Sequence, residues 1–433
     1  MEDIFGPLLL LTFCLIISYW ENNKFGTYIT PFGALAWPYT IVVIMINLVG
    51  KHFGFFPVSI QSNIFVISCL GFFLIGGQGI LLLFESKKIE TAQFCSPIIN
   101  TKELFNLYRP LFYTFAFISI IAGVFHFLNV IGDVGWKNIG SPEFTDVYGK
   151  GALAHIMLLS RPAFIFIFTD FILRNKKASL IVLFIIFIMV IVRQVKYHVV
   201  ILFLSGIYFS YIHNIFKFSL KKAILFIILI YFLFNLSYVI GFSVLGINHA
   251  YSSDVQAFLF NHFFTYLFGG PIGFSEIFKD NSFPLYSYKE IFSVPINLSR
   301  IFQGDQALVD IIINKWIPVS NIRTYFHSSN TFGIFGMSYV YLGILGTYIY
   351  LFIIGLVAYT FLLLVNRYKT VIGYQLVYVL IMGFLTLSFF GLYFNTLTFL
   401  EVSVYSLLIP QFYLYGREIN MISLLHLKIK ASK

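Results

Sequence analysis

The sequence predicts an all-α polytopic integral membrane protein with about 11 transmembrane helices and one large outer-face loop that contains amphipathic helices. The chain has 433 residues, of which 59% are hydrophobic and 11% are charged. Soluble domains are about half apolar and about one quarter charged, so a water-soluble globule would lack polar surface. Long apolar runs and a one-sided distribution of basic residues complete the prediction.

Eleven apolar segments approach the ~20 residues that a membrane-spanning helix needs. The sixth and seventh are short and share a charged motif at their junction. The predicted spans are Ile4–Trp20, Gly33–Gly50, Ile60–Phe84, Pro110–Ile131, Ala152–Leu173, Ser179–Val195, Lys196–Ile212, Ala223–Gly246, Ser338–Val365, Val371–Gly391 and Thr396–Leu414.

The basic residues predict the orientation. With the N-terminus outside and the C-terminus inside, seventeen Lys and Arg fall in inner segments and five in short outer loops. Lys and Arg collect on the cytoplasmic side of membrane proteins, which also accounts for the net charge of +10 without a nucleic-acid partner. The five outer ones are Lys51, Lys137, Lys150, Arg193 and Lys196.

The chain therefore divides into four parts. Residues 1–246 hold spans one to eight, residues 247–337 form the outer loop, residues 338–414 hold spans nine to eleven, and residues 415–433 form a basic cytoplasmic tail. In the loop, the pattern of Asp305–Ile317 predicts an amphipathic helix with Trp316 on its apolar side. His262–Phe274 reads as an apolar segment broken by its Gly-Gly-Pro, which suits a dip into the membrane interface.

Arg193 and Lys196 stand out because they lie in "IVRQVKYHVVI", between two uncharged apolar runs. On a helix their three-residue spacing places them on one face, and the predicted topology places them at the outer tip of a hairpin. They either reach toward lipid headgroups or form a cationic clamp for an anion at the outer interface.

Arg161 lies about ten residues into the fifth span, too deep to reach the headgroups easily. It is either a functional cation or a structural one, paired with Asp170 or with carbonyls freed by Pro162. His155, His126 and Asp170 are interpreted as hydrogen-bonded interior groups.

Two further cations, Arg300 and Arg323, lie in the outer loop, and His327 follows them just before the ninth span. Arginine suits phosphate because its planar fork donates two hydrogen bonds and stays charged. His327 is either an ordinary hydrogen-bonded residue or a base at neutral pH, with Asn330 placed to orient it or to bind hydroxyls. No metal motif and no Gly-rich phosphate loop occurs, so we expect a site without metal or cofactor.

These features together resemble the Wzy-type polymerases of bacterial O-antigen and capsule repeat units. The resemblance rests on the number of spans, the "RQVKYH" hairpin, the late outer loop, and "FHSSNTFGIFGMSYVYLGILG" (Phe326–Gly346) leading into the next span. Lys24–Ile41 and Tyr148–Phe166 also look like segments of that family.

The resemblance implies a metal-independent glycosyltransferase of the bacterial inner membrane. It would act at the periplasmic face on undecaprenyl-diphosphate-linked oligosaccharides, among membrane lipid and with a chain-length regulator as a protein partner. Arg193, Lys196, Arg300 and Arg323 would bind the diphosphate, and His327 would take the proton from the incoming hydroxyl. Tyr325 would stack on a sugar ring. Two alternatives stay open: an O-antigen ligase that transfers the glycan to the lipid A core, and a flippase for lipid-linked oligosaccharides.

Overall fold

A computed structural model of the chain describes residues 2–85, 101–139, 141–192, 196–217, 219–244, 252–280, 288–303, 316–321 and 328–431. Seven helices among these residues are long and apolar enough to cross a membrane. The prediction of an all-α polytopic membrane protein is confirmed. The seven segments are Ile4–Phe25, Pro31–Leu48, Ile60–Phe84, Thr101–Val134, Ala152–Arg174, Gly333–Arg367 and Leu397–Gly416.

Every predicted span coincides with a helix or a pair of helices. The four spans outside that set of seven are the apolar helices α8, α9, α10 and α14. In chain order the helices are α1 Glu2–Phe25, α2 Pro31–Leu48, α3 Ile60–Glu85, α4 Thr101–Val134, α5 Pro142–Tyr148, α6 Ala152–Met157, α7 Ser160–Arg174, α8 Lys177–Val192, α9 Lys196–Ile212, α10 Leu220–Val244, α11 Ser253–Lys279, α12 Ser293–Phe302, α13 Gly333–Arg367, α14 Ile372–Leu387 and α15 Leu397–Ala431. The strands are β1 Ile317–Pro318 and β2 Ser328–Ser329.

Local signals set several helix boundaries. The side chain of Thr30 accepts a hydrogen bond from the Gly33 amide at 3.0 Å, and Pro31 occupies the first turn, so α2 begins with a capped N-terminus. Ser252 caps α11 in the same way, and Asp254 adds a negative charge to that first turn. α13 has a kink at Gly343, whose φ of 68° lies in the left-handed region that glycine tolerates.

The chain forms two compact units. The first consists of Met1–Cys95, Phe218–Leu363 and Ile381–Phe399. The second consists of Ser96–Lys217, Leu364–Leu380 and Leu400–Lys433. Aromatic rings fill the interior of the second unit, where Phe166 stacks between Phe105 and Phe112 with ring centroids 4.7 and 4.4 Å away.

Three details of the prediction were wrong. Two concern prolines inside helices, and the third concerns the end of a predicted helix. α4 begins at Thr101 and runs through Pro110, and α11 is continuous through Pro271, so the predicted break in His262–Phe274 is absent. Each proline removes one backbone N–H from its helix without ending that helix. Within the predicted helix Asp305–Ile317, Trp316 is exposed and Ile317 lies in β1, while residues 304–315 lie outside the described chain.

Candidate functional site

In the first unit, the segment that was predicted to lie at the outer face packs against membrane-spanning helices. α11 packs against α2 and α3, with the Ser59 amide donating to Ser275 Oγ at 2.9 Å and the Phe65 and Phe274 ring centroids 5.7 Å apart. A Cβ on Gly270 would collide with the carbonyl oxygen of Phe389, so only glycine permits this backbone approach. The 27 residues of α11 are therefore a fixed part of the unit.

The short strands connect the same segment to the turn after α2. β1 and β2 pair antiparallel, with Ile317 opposite Ser329. The Phe56 amide donates to the carbonyl of Val319 at 3.0 Å, and the Asn321 amide donates to that of Gly54 at 2.9 Å. The two connections that these bonds join, α2–α3 and α10–α13, were both predicted to lie at the outer face.

The connection between α14 and α15 joins them at the same end of the unit. Asn395 Nδ2 donates to the carbonyl of Glu290 at 3.3 Å, and Ser293 Oγ donates to the carbonyl of Asn395 at 3.1 Å. Ser293 is the first residue of α12, so this contact fixes the start of that helix. Three connections that the charge distribution assigned to one face thus meet in the structure.

Two predicted binding residues lie in this part of the first unit. Arg300 is partly buried in the last turn of α12. Asn330 directly follows β2 and is partly buried. Its two sequence neighbours, Ser329 and Thr331, form a hydrogen bond with each other through side-chain oxygens 2.8 Å apart. Arg323, Tyr325 and His327 lie outside the described residues.

In the second unit, Asp170 is the centre of a buried charge cluster at the predicted inner end. Both of its oxygens accept from Arg109 Nη2 at 2.9 Å, and its Oδ1 lies 2.9 Å from Arg174 Nε. Tyr113 Oη donates to Asp170 Oδ2 at 3.4 Å. The carboxylate is fully buried, which its charged partners make tolerable. Asp170 is a structural residue, as predicted.

The predicted outer end of the second unit contains a different arrangement. The fifth span is divided into α6 and α7, and Arg161 lies in the first turn of α7 with 6% of its surface exposed. His155 Nδ1 on α6 lies 2.7 Å from Glu401 Oε1 on α15. The prediction that His155 is an interior histidine was wrong, because 47% of its side chain is exposed.

The remaining predictions in the second unit have mixed outcomes. His126 is buried, and its Nε2 lies 3.1 Å from the carbonyl oxygen of Tyr148, which confirms its interior role. Lys196 is the first residue of α9, and α8 ends at Val192, so the predicted hairpin junction is short. Arg193 lies outside the described residues, and the cationic clamp stays a prediction.

Sequence reasoning missed two carboxylates, Glu401 inside the predicted eleventh span and Glu21 directly after the predicted first span. Glu21 is fully buried in the first unit, and its two oxygens accept from Thr30 Oγ1 and Tyr359 Oη. The available signal was simple, since an acidic residue within an apolar span implies a partner or a function. Tyr359 is 338 residues away from Glu21, so that pairing could be seen only in the fold.

Comparison with known proteins assigns the chain to a family. Residues 52–418 match the family of unknown function DUF6337, so the chain belongs to it. No curated protein and no solved structure matches the chain.

Proposed function

We propose that the protein is a metal-independent glycosyltransferase that polymerises undecaprenyl-diphosphate-linked oligosaccharide repeat units. It would work at the periplasmic face of a bacterial inner membrane and transfer the growing glycan to a new lipid-linked unit. The sequence resemblance to repeat-unit polymerases is the origin of this proposal. The fold is compatible with it, because membrane-spanning helices can contact a substrate whose lipid stays in the bilayer.

One observation supports the proposal: the segment of the first unit that was predicted to lie outside packs against the membrane-spanning helices and contains Arg300. The diphosphate of a lipid-linked substrate lies at the bilayer surface, so its ligands must lie close to the membrane-spanning helices. α12 is fixed through Ser293 and bears Arg300 in its last turn. Exposed aromatic side chains nearby suit the headgroup region, with Phe302 89% exposed and Trp316 58% exposed.

In the proposed transfer, cationic side chains rather than a metal ion bind the diphosphate. As the anomeric carbon–oxygen bond breaks, negative charge builds on the departing diphosphate, and well-placed donors stabilise it. Arg193, Lys196, Arg300 and Arg323 are the proposed diphosphate ligands, and Arg161 is a further candidate. His327 is the sequence-predicted proton acceptor. Asn330 and Tyr325 would bind the sugars.

The test for this role of Arg300 uses a cell that lacks the protein and is complemented with variants at equal membrane levels. Arg300→Ala should slow polymerisation by about 10²-fold, the usual cost of one charge-stabilising donor. Arg300→Lys should recover part of the polymerisation rate, because lysine keeps the positive charge but lacks the planar guanidinium that donates two hydrogen bonds. The readout is the length distribution of the surface glycan on a gel.

The matched control is Lys279→Ala, which also removes one cation from the outer segment. Lys279 is half exposed and pairs with Glu276 at 2.6 Å, so it is already engaged at the end of α11. Equal glycan ladders from Arg300→Ala and Lys279→Ala would remove Arg300 from the proposal. Accumulation of lipid-linked units on the inner side of the null strain would favour the flippase alternative instead.

A further inference from the structure

An imidazole–carboxylate pair lies in the membrane-spanning part of the second unit, near its predicted outer end. His155 Nδ1 and Glu401 Oε1 are 2.7 Å apart. Both residues belong to helices long and apolar enough to cross a membrane, Ala152–Arg174 and Leu397–Gly416. Ionisable groups within spans are costly and usually serve a pathway, a relay or a site.

The backbone beside His155 is irregular. Pro162 has no N–H to donate to the carbonyl of Leu158, which accepts instead from the Arg161 amide at 3.0 Å. The Leu158 amide in turn donates to the His155 carbonyl at 3.1 Å, a short turn rather than a regular helical bond. Irregular backbone at membrane depth is tolerated against protein or along a wet cavity. The broken span is therefore the second feature that indicates a site here.

A purely structural charge pair has a different appearance in this unit. Asp170 is fully buried and contacts two arginines and a tyrosine. In the His155–Glu401 pair, 47% of the histidine side chain and 20% of the glutamate side chain are exposed. The protein therefore leaves part of the surface of this pair uncovered. The pair remains available to a ligand.

The contact defines which ring nitrogen can accept a proton. A carboxylate oxygen accepts hydrogen bonds, so Nδ1 carries the proton that it donates to Glu401. In the neutral imidazole this leaves the lone pair on Nε2, as in bases that a carboxylate orients. Glu401 also stabilises the imidazolium that forms when Nε2 takes up a proton.

We infer that His155 is the general base of the proposed transfer, in place of His327, and that Glu401 is its positioning residue. The inference rests on the proposed function. The hydroxyl oxygen of the incoming repeat unit forms a bond to the anomeric carbon of the growing glycan. The bond from that carbon to the diphosphate oxygen breaks, and its electron pair leaves with undecaprenyl diphosphate. The hydroxyl proton moves to His155 Nε2 and then passes to water.

The experiment uses the purified full-length protein in lipid bilayers, with a lipid-linked repeat unit as both donor and acceptor. His155→Ala should lower kcat by about 10²–10⁴-fold, the contribution of a well-placed general base. His52→Ala is the control, because His52 is an exposed histidine of a predicted outer turn outside the pair. Its rate should equal that of the wild type.

Glu401 is tested by two substitutions with different expected effects. Glu401→Gln keeps an oxygen that accepts from Nδ1 but loses the negative charge, so kcat should fall about tenfold while KM stays unchanged. Glu401→Ala loses both the accepting oxygen and the negative charge, so its kcat should fall further. A merely structural role would instead reduce the amount of folded protein and leave the kcat of the remainder intact. Membrane insertion and a single size-exclusion peak verify folding, and His155→Gln replaces His155→Ala if the latter fails this check.

The outcomes separate the two proposals. Loss of turnover in His155→Ala with wild-type turnover in His52→Ala supports the inference. If His155→Ala and His155→Gln turn over normally, or if His327→Ala alone abolishes turnover, the inference is overturned while polymerisation stands. If the wild-type protein extends no lipid-linked glycan at all, the proposed function fails, and the inference fails with it.

Discussion

At the residue scale, buried ionisable groups have their charge balanced by partners that the fold supplies. Asp170 is fully buried between Arg109 and Arg174, and Tyr113 adds a hydrogen bond. Breaking a buried charge cluster leaves the remaining charges without compensation, which costs more than an exposed pair gains. The sequence indicated that Asp170 is structural, but its arginine partner Arg109 lies 61 residues away and needed the packing of α4 on α7.

Asp170→Ala should therefore destabilise the protein by about 3–5 kcal/mol, because it leaves two arginines without their carboxylate. Thermal unfolding of the detergent-purified variant measures the effect. Glu276→Gln is the control: it breaks the exposed contact with Lys279, which should cost about 1 kcal/mol or less. Similar unfolding temperatures for the two variants would contradict the structural role of Asp170.

His213, immediately after α9, provides a pH-dependent contribution. Burial lowers its pKa to about 4, and the hydrogen bond between Nε2 and Gln375 Oε1, 3.0 Å long, only partly opposes that shift. Within the described part of the chain, its Nδ1 is buried without a hydrogen-bond partner, so a second proton on the ring would find no acceptor there. The folded state therefore holds this histidine neutral at pH values where the unfolded state protonates it.

Stability linked to His213 should be complete above the unfolded pKa of about 6.5 and should fall as the pH drops from there toward 4. The expected slope is about 1.4 kcal/mol per pH unit, since the unfolded chain binds one proton more. Unfolding of wild type and His213→Asn is compared from pH 7 to pH 4, and the difference between the two isolates this group. A difference independent of pH would contradict the account.

At the element scale, α11 is where prediction and structure differ most. The Gly-Gly-Pro sequence indicated a broken segment, yet the helix is continuous from Ser253 to Lys279. Local sequence predicts what glycine and proline allow, and it does not reveal what packs beside them. Here Gly269 allows close contact with Ser329, which is 60 residues further along the chain. Gly270 allows close contact with the backbone of Phe389, which is 119 residues further along.

Gly270→Ala tests that contact. The added Cβ would overlap the carbonyl oxygen of Phe389, a backbone atom that cannot move aside, so we expect a loss of about 1–3 kcal/mol. Gly71→Ala in α3 is the matched control, because no atom of the described residues outside its own helix backbone lies within 4 Å of its added Cβ. That substitution should be neutral or stabilising by up to about 1 kcal/mol. Thermal unfolding of both variants decides, and equal stability would contradict the packing of α11.

At the scale of the whole molecule, the sequence predicted the class and the span positions well because apolar length and basic-residue bias are strong, local signals. It also assigned three distant connections to one face, and they meet in the first unit. The candidate site was less accessible to prediction. Its pairings, above all His155 with Glu401, join residues far apart in the chain, and several predicted ligands lie outside the described residues.

The predicted orientation is open to direct measurement. Single cysteines at His52 and at Asn175 mark the turns after α2 and α7, which were predicted to lie outside and inside respectively. In cells with a permeabilised outer membrane, an impermeant thiol reagent should label His52→Cys and leave Asn175→Cys unlabelled until the inner membrane is opened. Labelling in the reverse order would invert the topology and move the His155–Glu401 pair away from the periplasm.

The central claim is the extension of a lipid-linked glycan, and the most direct test is the purified protein in lipid bilayers with one undecaprenyl-diphosphate-linked repeat unit. We expect products of two and more units and the release of undecaprenyl diphosphate. No metal or nucleotide should need to be added. A lipid A core acceptor is offered in a parallel reaction. Transfer to that acceptor alone, or no extension of any lipid-linked glycan, would contradict the proposed polymerase.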